Sequence, residues 1–266
     1  MISDLMDFKT IKYEPGDEVT RITFCRPEVH NAFNDDVIYE MTDVFKSMEK
    51  DNPPRMVILS GEGKSFCAGA DLNWMKRVIN QSFEENLKES QALAELFAAI
   101  YNFGSPVIGR INGAAIGGGV GFVAACDIAI AAESAIFSFS EVKIGLVPAC
   151  IGPYVVKKIG EGKARQFFIT GERLKAEKAF EIGLLSAIVK DDELDNAVNN
   201  LVNMIMSSGP EAVAVAKKLV SSVPNMSEEE YKFFTAEMIA KLRISNEGQE
   251  GMNAFLQKRK PEWIKK

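Results

Sequence analysis

The sequence predicts an α/β fold with a helical C-terminal part, and three features indicate this class. The apolar run Pro106–Ile111 is typical of a buried strand, and a glycine-rich turn leads from it into a small-residue helix that begins near Gly117. Arg55–Ser60 is a second such strand, and it runs through the Gly/Ala-rich segment Gly61–Leu72 into another helix. Beyond Val189 the strand patterns give way to helical ones.

The elements predicted before the first glycine-rich unit are two strands and a helix. Phe8–Tyr13 and Val19–Cys25 have strand composition and flank the turn Glu14–Glu18, which contains a Pro-Gly-Asp sequence. Asn34 precedes apolar residues at helical spacing, which predicts a helix over Asn34–Lys50 with Asn34 as its N-cap.

Helices and strands alternate through the middle of the chain. Asp71 is predicted to cap a short helix, and the apolar face of Phe83–Asn102 predicts a long one. Ser140–Pro148 is expected to be a loop or a short turn. The other strands are predicted at Ile128–Ala132, Ala135–Phe139 and Ser186–Val189, and the other helices at Tyr154–Ile159, Ala164–Thr170 and Ala176–Ile182.

The C-terminal part is predicted to be entirely helical. This tail is too thin to fold well alone, so we expect it to pack on the core or on a partner subunit. We therefore divide the chain into a core, residues 1–189, and a helical region, residues 190–266. The helices are predicted at Leu194–Met206, Pro210–Leu219, Ser227–Ile244 and Gly248–Lys258.

Composition and charge argue against several classes of protein. The chain has 266 residues and a net charge of −6, which disfavours non-specific binding to nucleic acid or to an anionic membrane surface. Its 4 cysteines are dispersed, which suits a reduced, cytoplasmic compartment and not a metal cluster. Met1–Lys9 lacks the features of a signal peptide, and no segment has the length and apolarity of a membrane span.

The two glycine-rich units predict a site for an anion, or for an oxygen that becomes anionic during a reaction. Glycines allow close approach of the backbone, and the start of a helix offers unpaired N–H groups with partial positive charge. Two such units are expected to direct two backbone donors at one site. The alternative is that Gly117–Gly119 only permit tight packing of a helix against a strand.

Other motifs do not define a reaction. A phosphate-binding loop is rejected because Ile58 stands where a motif ending in Gly63–Ser65 requires a glycine. The dinucleotide-binding pattern is poorly met, and the G-x-S-x-G turn of α/β-hydrolases is absent. His30 is expected to be solvated, and Cys67 is expected to be a small packing residue.

Glu141 is the candidate for acid–base chemistry. It follows a predicted strand, precedes a Gly/Pro-containing turn and has apolar neighbours, and such a setting raises the pKa of a carboxyl group. The alternative is a solvated loop glutamate. Asp71 and Asp127 have structural interpretations, as an N-cap and a helix-end residue.

Several segments together carry a family resemblance: Phe66–Leu72, Asn112–Gly119, Cys126–Asp127, Glu141 with Gly145, and Glu250–Phe255. They resemble the crotonase superfamily of enoyl-CoA hydratases and isomerases over nearly the whole chain. The segment Ser140–Ala149, together with Pro153–Val156, is most similar to the bacterial methylglutaconyl-CoA hydratase-like branch. The resemblance implies a spiral of repeated ββα units and a helical C-terminal region that builds a homotrimer, two of which usually stack as a hexamer.

The resemblance also implies roles for single residues. The N–H groups of Ala70 and Gly118 match the family's oxyanion-hole donors, and Glu141 matches one of two catalytic glutamates. Lys258 matches a lysine that reaches the coenzyme A of a neighbouring subunit. No separate cofactor is implied, because coenzyme A is part of the acyl-CoA substrate. The segment expected to bind coenzyme A contains Ala68, Gly69, Asp71 and Leu72.

The family's other glutamate falls on Gly121, which has no side chain that can hold or protonate anything. We expect hydration of a 2-enoyl-CoA, in which Glu141 activates water. The proton that reaches C2 is expected from the same carboxyl group, or through water held near Gly121 and the backbone of Ala149. Isomerisation or decarboxylation in the same oxyanion hole is the second hypothesis, and a non-catalytic acyl-CoA-binding protein is the third.

Overall fold

A computed structural model of the chain describes residues 8–51 and 53–264. Residues 1–7, which include most of the stretch considered above for a signal peptide, lie outside this range. The strands are β1 (Ile11–Glu14), β2 (Val19–Phe24), β3 (Met56–Gly61), β4 (Ser65–Cys67), β5 (Val107–Ile111), β6 (Ala114–Ile116), β7 (Ile128–Ala132), β8 (Ile136–Ser138), β9 (Arg173–Lys175) and β10 (Ala187–Val189). The helices are α1 (Asp35–Asp51), α2 (Leu72–Val78), α3 (Phe83–Asn102), α4 (Gly118–Ala125), α5 (Gly152–Thr170), α6 (Ala176–Glu181), α7 (Leu194–Met206), α8 (Pro210–Ser222), α9 (Glu228–Ile244) and α10 (Asn246–Leu256).

The strands form two sheets, and the predicted α/β class is confirmed. The larger sheet has the order β1-β2-β3-β5-β7-β10, with β1 antiparallel to β2 and the other pairs parallel. The smaller has the order β4-β6-β8-β9, with only β9 antiparallel to its neighbour. Every residue of β3 is buried, as expected for a strand covered on both faces.

The two sheets are built by a repeated unit of two strands followed by a helix. In the pairs β3–β4, β5–β6 and β7–β8, the first strand joins the larger sheet and the second joins the smaller one. Each repeat thereby advances both sheets by one strand, which gives the spiral of ββα units that the resemblance implies. Strands β4, β6 and β8 have three residues each, so alternation within the glycine-rich sequence could not reveal β4 or β6.

Aromatic packing fixes α4 in the core. The ring of Phe122 meets those of Phe24, Phe33 and Phe97 at centroid distances of 4.9, 5.9 and 5.0 Å. Such tilted and edge-to-face pairs stabilise beyond the apolar area that they bury. Because α4 starts at Gly118, the same packing holds the glycine triplet in place.

Most predicted elements agree with the structure, with small shifts at their ends. Asn34 and Asp71 cap α1 and α2 as expected, since Asn34 Oδ1 accepts from the Val37 amide and Asp71 Oδ1 from that of Asn73. The two helices predicted around Gly160 form one element, α5, which Gly160 kinks with φ 77° and ψ 157°.

Contacts divide the chain into two compact units. The first comprises the chain up to Phe103 together with Val107–Val198, and the second comprises Gly104–Pro106 with the chain from Asn199 onward. The second unit is helical, and the Trp263 indole N–H closes it locally on the carbonyl oxygen of Ser207 at 3.1 Å. The division falls within α7, a little after the boundary at residue 189 that the last strand suggested.

Candidate active site

Three adjacent parallel strands of the smaller sheet end at the same edge. Ser65 and Cys67 of β4 pair with Ala114 and Ala115 of β6, and β6 pairs in turn with β8. Within a few residues of the ends of these strands the chain reaches Ala70, Gly118 and Glu141, in that order. Loops at the carboxyl ends of parallel strands are where α/β folds place their ligands. The sheet therefore collects the three residues whose catalytic roles the resemblance implies.

The orientation of the Ala70 N–H group follows from its own peptide unit. The Phe33 amide donates to the Gly69 carbonyl oxygen at 2.8 Å, and the Asp71 amide donates to that of Phe33 at 2.8 Å. The C=O and N–H of a trans peptide point in opposite directions. The Ala70 N–H thus points away from Phe33, and it has no hydrogen-bond partner among the described residues.

The Gly118 N–H is held outward in the same way. The Gly117 carbonyl oxygen accepts from the Val120 amide at 2.9 Å and so points along α4. The Gly118 N–H, in the same peptide unit, points out of the helix N-terminus and has no acceptor in the described part of the chain. Gly117 has φ 54° and ψ −125°, a conformation available essentially only to glycine.

The two donor loops are in direct contact. A Cβ atom on Gly69 would lie 2.7 Å from the Ile116 carbonyl oxygen, and one on Gly119 would lie 2.1 Å from that of Cys67. A Cβ atom on Gly118 would lie 2.6 Å from the ring of Phe33. Glycine is therefore required at these positions for the loops to meet. The tight packing considered as the alternative for Gly117–Gly119 is thus compatible with the donor role proposed for Gly118.

The side chain of Glu141 is partly buried beside the glycine triplet. Glu141 lies in a 3₁₀ turn, Ser140–Ile144, that begins just after β8 and ends at Gly145 in the left-handed conformation. A Cβ atom on Gly117 would stand 3.3 Å from Glu141 Oε1. Glu141 Oε2 is inaccessible to solvent and has no hydrogen-bond partner among the described residues. A buried, unpaired carboxyl oxygen is costly, which argues against the solvated loop glutamate.

Burial raises the pKa of Glu141 above the ordinary range of a glutamate. The backbone of Glu141 itself favours the charged form and opposes this effect only in part. A carboxyl group with a raised pKa is both a better base when ionised and available as an acid nearer to neutral pH. Perturbed carboxyl groups of this kind concentrate at functional sites.

The position where the family has a second glutamate is filled by apolar side chains. Gly121 is buried within α4. A Cβ atom there would lie 2.2 Å from Ile151 Cγ2 and 2.8 Å from the ring of Phe97. The expected water near Gly121 has no room on this side, and the Ala149 amide is already bonded to the Val147 carbonyl oxygen at 2.8 Å. Of the two positions where the family has a glutamate, only position 141 carries a carboxyl group in this chain.

The remaining residues expected to bind coenzyme A occupy different environments. The Ala68 amide donates to the His30 carbonyl oxygen at 3.0 Å, and Leu72 is exposed at the start of α2. Burial alone would raise the pKa of Asp71, but hydrogen bonds from Arg26 and from the backbone of α2 lower it below its usual range. Lys258 belongs to the second unit, is exposed, and has a left-handed φ of 54°.

Cys67 and His30, two other residues considered from the sequence, lie in environments that do not indicate a catalytic role. Burial raises the pKa of Cys67 to about 12, so its side chain is a packed thiol and not a nucleophile. The exposed ring of His30 lies 3.2 Å, Nδ1 to Oγ, from Ser65. The described residues contain no cluster suited to a metal ion, and none of their helices combines the length and apolarity needed to cross a membrane.

Sequence reasoning missed three contributors to the site. Phe97 and Ile151 cover Gly121, and Arg26 forms a buried ion pair with Asp71 at 2.7 Å. All three lie far along the chain from the residues that they contact. An ion pair such as that of Arg26 with Asp71 is signalled only when a cation is seen to be shielded from solvent. The exposure of a side chain cannot be read from the sequence.

Comparisons with known proteins identify one family and one fold. A sequence profile described as enoyl-CoA hydratase/isomerase matches residues 14–266. A short-chain-enoyl-CoA hydratase of Clostridium acetobutylicum is 32% identical over 98% of this chain and 99% of its own length. The crystal structure of an enoyl-CoA hydratase from Shewanella pealeana has a TM-score of 0.92 at 38% identity and covers 97% of both chains. A structure from Legionella pneumophila, described as an enoyl-CoA hydratase/isomerase (crotonase), has a TM-score of 0.90 at 43% identity over 96% of this chain and 98% of that one.

The family match and the solved structures define an enzyme of the crotonase type. The chain belongs to the enoyl-CoA hydratase/isomerase family and is an enzyme of the hydratase/isomerase class. The resemblance drawn from the sequence is confirmed at this level, and the methylglutaconyl-CoA branch stays a prediction.

Proposed function

We propose that the chain adds water to a 2-enoyl-CoA thioester, with the Ala70 and Gly118 N–H groups as the oxyanion hole and Glu141 as the only acid–base group. The observation that carries this proposal is that Ala70, Gly118 and Glu141 follow three adjacent parallel strands to one edge of the smaller sheet. The names of the relatives support hydration of enoyl-CoA as the reaction class.

The oxyanion hole stabilises the charge that develops on the thioester oxygen. Attack at C3 moves the electrons of the double bond toward that oxygen and forms an enolate. Both proposed donors, on Ala70 and Gly118, are backbone groups held by their own peptide units, so they need no reorganisation when the charge appears. Losing one such donor typically lowers the rate by about 10²–10³-fold.

Glu141 transfers the protons. Its carboxylate takes one proton from water as the water oxygen bonds to C3, and the resulting carboxylic acid gives a proton to C2 as the enolate collapses. The product is a 3-hydroxyacyl-CoA, and both hydrogens of the water are accounted for. No separate cofactor takes part, because the coenzyme A belongs to the substrate. Ile151 and Phe97 cover Gly121 with apolar atoms, which supports a mechanism that uses one carboxyl group for both proton transfers.

A turnover screen tests the reaction. The purified protein is incubated separately with crotonyl-CoA, methylglutaconyl-CoA and a 3-enoyl-CoA, and the products are identified by mass spectrometry with chromatographic standards. Formation of 3-hydroxyacyl-CoA from a 2-enoyl substrate is the expected result. Tight coenzyme A binding without turnover of any thioester contradicts the proposal and favours the non-catalytic acyl-CoA-binding hypothesis.

Isomerisation is the second candidate, and Gly121 is the observation that favours it. Moving a double bond requires one group that removes a proton from C2 and returns it to C4, and it requires no water. Ile151 and Phe97 exclude water from the Gly121 side, which suits a shuttle by Glu141 alone. A 2-enoyl product from the 3-enoyl-CoA, at a rate above hydration, would establish this reaction as the main one.

The coenzyme A moiety is proposed to lie along Ala68–Leu72 and to meet Lys258 of a neighbouring subunit. Lys258 is exposed, as such a role requires. Lys258→Met is expected to raise KM about tenfold for CoA thioesters and to leave N-acetylcysteamine thioesters unaffected, since those lack the phosphates. Lys260→Met, on the same exposed segment, is the matched control.

The second unit is proposed to build a homotrimer, alone or as a stacked hexamer. Large apolar side chains are exposed on its helices, which is unusual for a surface that stays in water. Sedimentation velocity decides between the two assemblies, and a monomer at assay concentration contradicts both. The most exposed of these side chains are Phe233 (73%), Val220 (75%), Leu256 (76%), Ile244 (80%) and Phe255 (83%).

A further inference from the structure

A partly buried guanidinium group is linked to the Ala70 donor. The Arg26 side chain is 17% exposed, and its Nη2 donates to Asp71 Oδ2 at 2.7 Å. Its Nη1 donates to the carbonyl oxygen of Ala32. Neither the proposed reaction nor the cap of α2 requires this second hydrogen bond.

The Ala32 oxygen begins a chain of hydrogen bonds that ends in the oxyanion hole. The Ala32 carbonyl and the Phe33 N–H belong to one peptide unit. That N–H donates to the Gly69 carbonyl oxygen at 2.8 Å. The Gly69 carbonyl and the Ala70 N–H belong to the next unit, so two peptide units link Arg26 to the unpartnered Ala70 N–H.

We propose that Arg26 is a positioning residue that orients and polarises the Ala70 N–H through these two peptide units. The proposal rests on the oxyanion hole proposed above. It attributes part of the hydrogen-bond strength of the Ala70 N–H to a side chain that does not touch the substrate. Hydrogen bonds in series strengthen one another, by about 10–30% per bond in condensed-phase estimates. A charged donor at the head of the series gives the largest polarisation.

The ion pair with Asp71 keeps the cation in place. Asp71 offsets the charge of Arg26 and accepts the backbone N–H groups of Asn73 and Trp74, so it ties the end of the Ala70 loop to α2. If Arg26 had only a structural role, it would act only through its ion pair with Asp71. The two roles differ in whether the Ala32 hydrogen bond matters, which allows them to be separated by substitution.

Three variants make the separation. Arg26→Met removes both hydrogen bonds of the guanidinium, and Arg26→Lys keeps a charged donor without the fork. Arg110→Met is the matched control, since it removes a partly buried guanidinium from its ion pair with Asp195. Neither Arg110 nor Asp195 has a hydrogen bond to the Ala32–Phe33 or the Gly69–Ala70 peptide unit.

The readout is the stretching frequency of a ¹³C-labelled thioester carbonyl in bound crotonyl-CoA, measured with kcat, KM and thermal stability. Arg26→Met is expected to raise that frequency toward its value in water and to lower kcat about tenfold with little change in KM, because the donor acts mainly in the transition state. Arg26→Lys is expected to lie between Arg26→Met and wild type. Arg110→Met is expected to lose stability and keep the wild-type frequency.

Three outcomes overturn the proposal. A wild-type frequency equal to that in water removes the oxyanion hole, and the relay with it. A lowered wild-type frequency that Arg26→Met leaves unchanged overturns the relay alone and leaves the proposed function intact. If Arg26→Met does not fold, the frequency of Arg26→Lys decides, and an unchanged frequency in Arg26→Lys overturns the relay.

Discussion

The carboxyl group of Glu141 lies directly against the backbone of Gly117, where a side chain would begin 3.3 Å from Oε1. Gly117 is also the residue whose carbonyl orients the Gly118 N–H. The acid and one proposed oxyanion donor thus both adjoin Gly117, whose backbone conformation is available essentially only to glycine. Changes at either residue of this contact should alter chemistry more than binding.

Glu141→Gln is expected to lower kcat by about 10²–10⁴-fold, the usual contribution of a positioned acid–base group. The amide keeps the shape of the side chain but takes up no proton. The dissociation constant for crotonyl-CoA should change by less than about threefold, as measured by calorimetry. Glu133→Gln is the control, since Glu133 is exposed beyond β7. Turnover by Glu141→Gln close to that of wild type removes the assigned role.

The pH dependence of hydration should follow the raised pKa of Glu141. The carboxylate must be ionised to accept a proton from water, so kcat/KM is expected to rise with pH through this pKa. Burial raises the pKa, so the midpoint should lie above the ordinary glutamate value of about 4.3. Initial rates across the acidic range measure it, and a midpoint at or below the ordinary value contradicts the assignment.

Removing the Glu141 charge should stabilise the fold. Because its pKa is higher in the folded chain than in the unfolded one, the folded state binds this proton more tightly, and stability falls as pH rises between the two values. Glu141→Gln cannot ionise and is expected to unfold at a higher temperature than wild type at pH 7. The difference should vanish as the pH approaches about 4, near the unfolded pKa.

Gly117→Ala should damage both stability and activity. The backbone conformation of Gly117 strains any L-residue by about 1–3 kcal/mol, and the new methyl group crowds Glu141. A displaced catalytic group typically costs about 10²-fold in rate. Gly160→Ala is the matched control, because Gly160 has φ 77° and no atom within 4 Å of its Cβ position. It should lose similar stability and keep kcat; equal rate losses in both variants argue against the contact.

The apolar cover of Gly121 predicts an energetic coupling with Ile151. Gly121→Ala is expected to destabilise by about 1–3 kcal/mol through overpacking, and Ile151→Ala by about 2–5 kcal/mol through a cavity. The double variant should cost less than the sum by more than about 0.5 kcal/mol, because the cavity receives the methyl group. Denaturant unfolding of the four chains measures the coupling, and strict additivity contradicts the packing.

The sequence predicted the α/β class, most elements and the three residues at the strand ends. It predicted two glycine-rich turns with helices behind them, yet it missed β4 and β6, the strands that bring those turns together. Three-residue strands have too few positions to show alternation, and their pairing depends on neighbours far along the chain. The environment of Gly121 could not be predicted from the sequence either, because Phe97 and Ile151, which cover it, lie far along the chain.

The repeated ββα unit has a consequence for how this site can change. Successive repeats deliver one group each: the first an amide at Ala70, the second an amide at Gly118, the third an acid at Glu141. Each group is carried by its own strand-end loop, and the loops touch one another at Gly69, Gly117 and Gly119. A substitution at one loop therefore also bears on its neighbours, and an acid at position 121 would require prior substitutions that clear Ile151 and Phe97 from its cover.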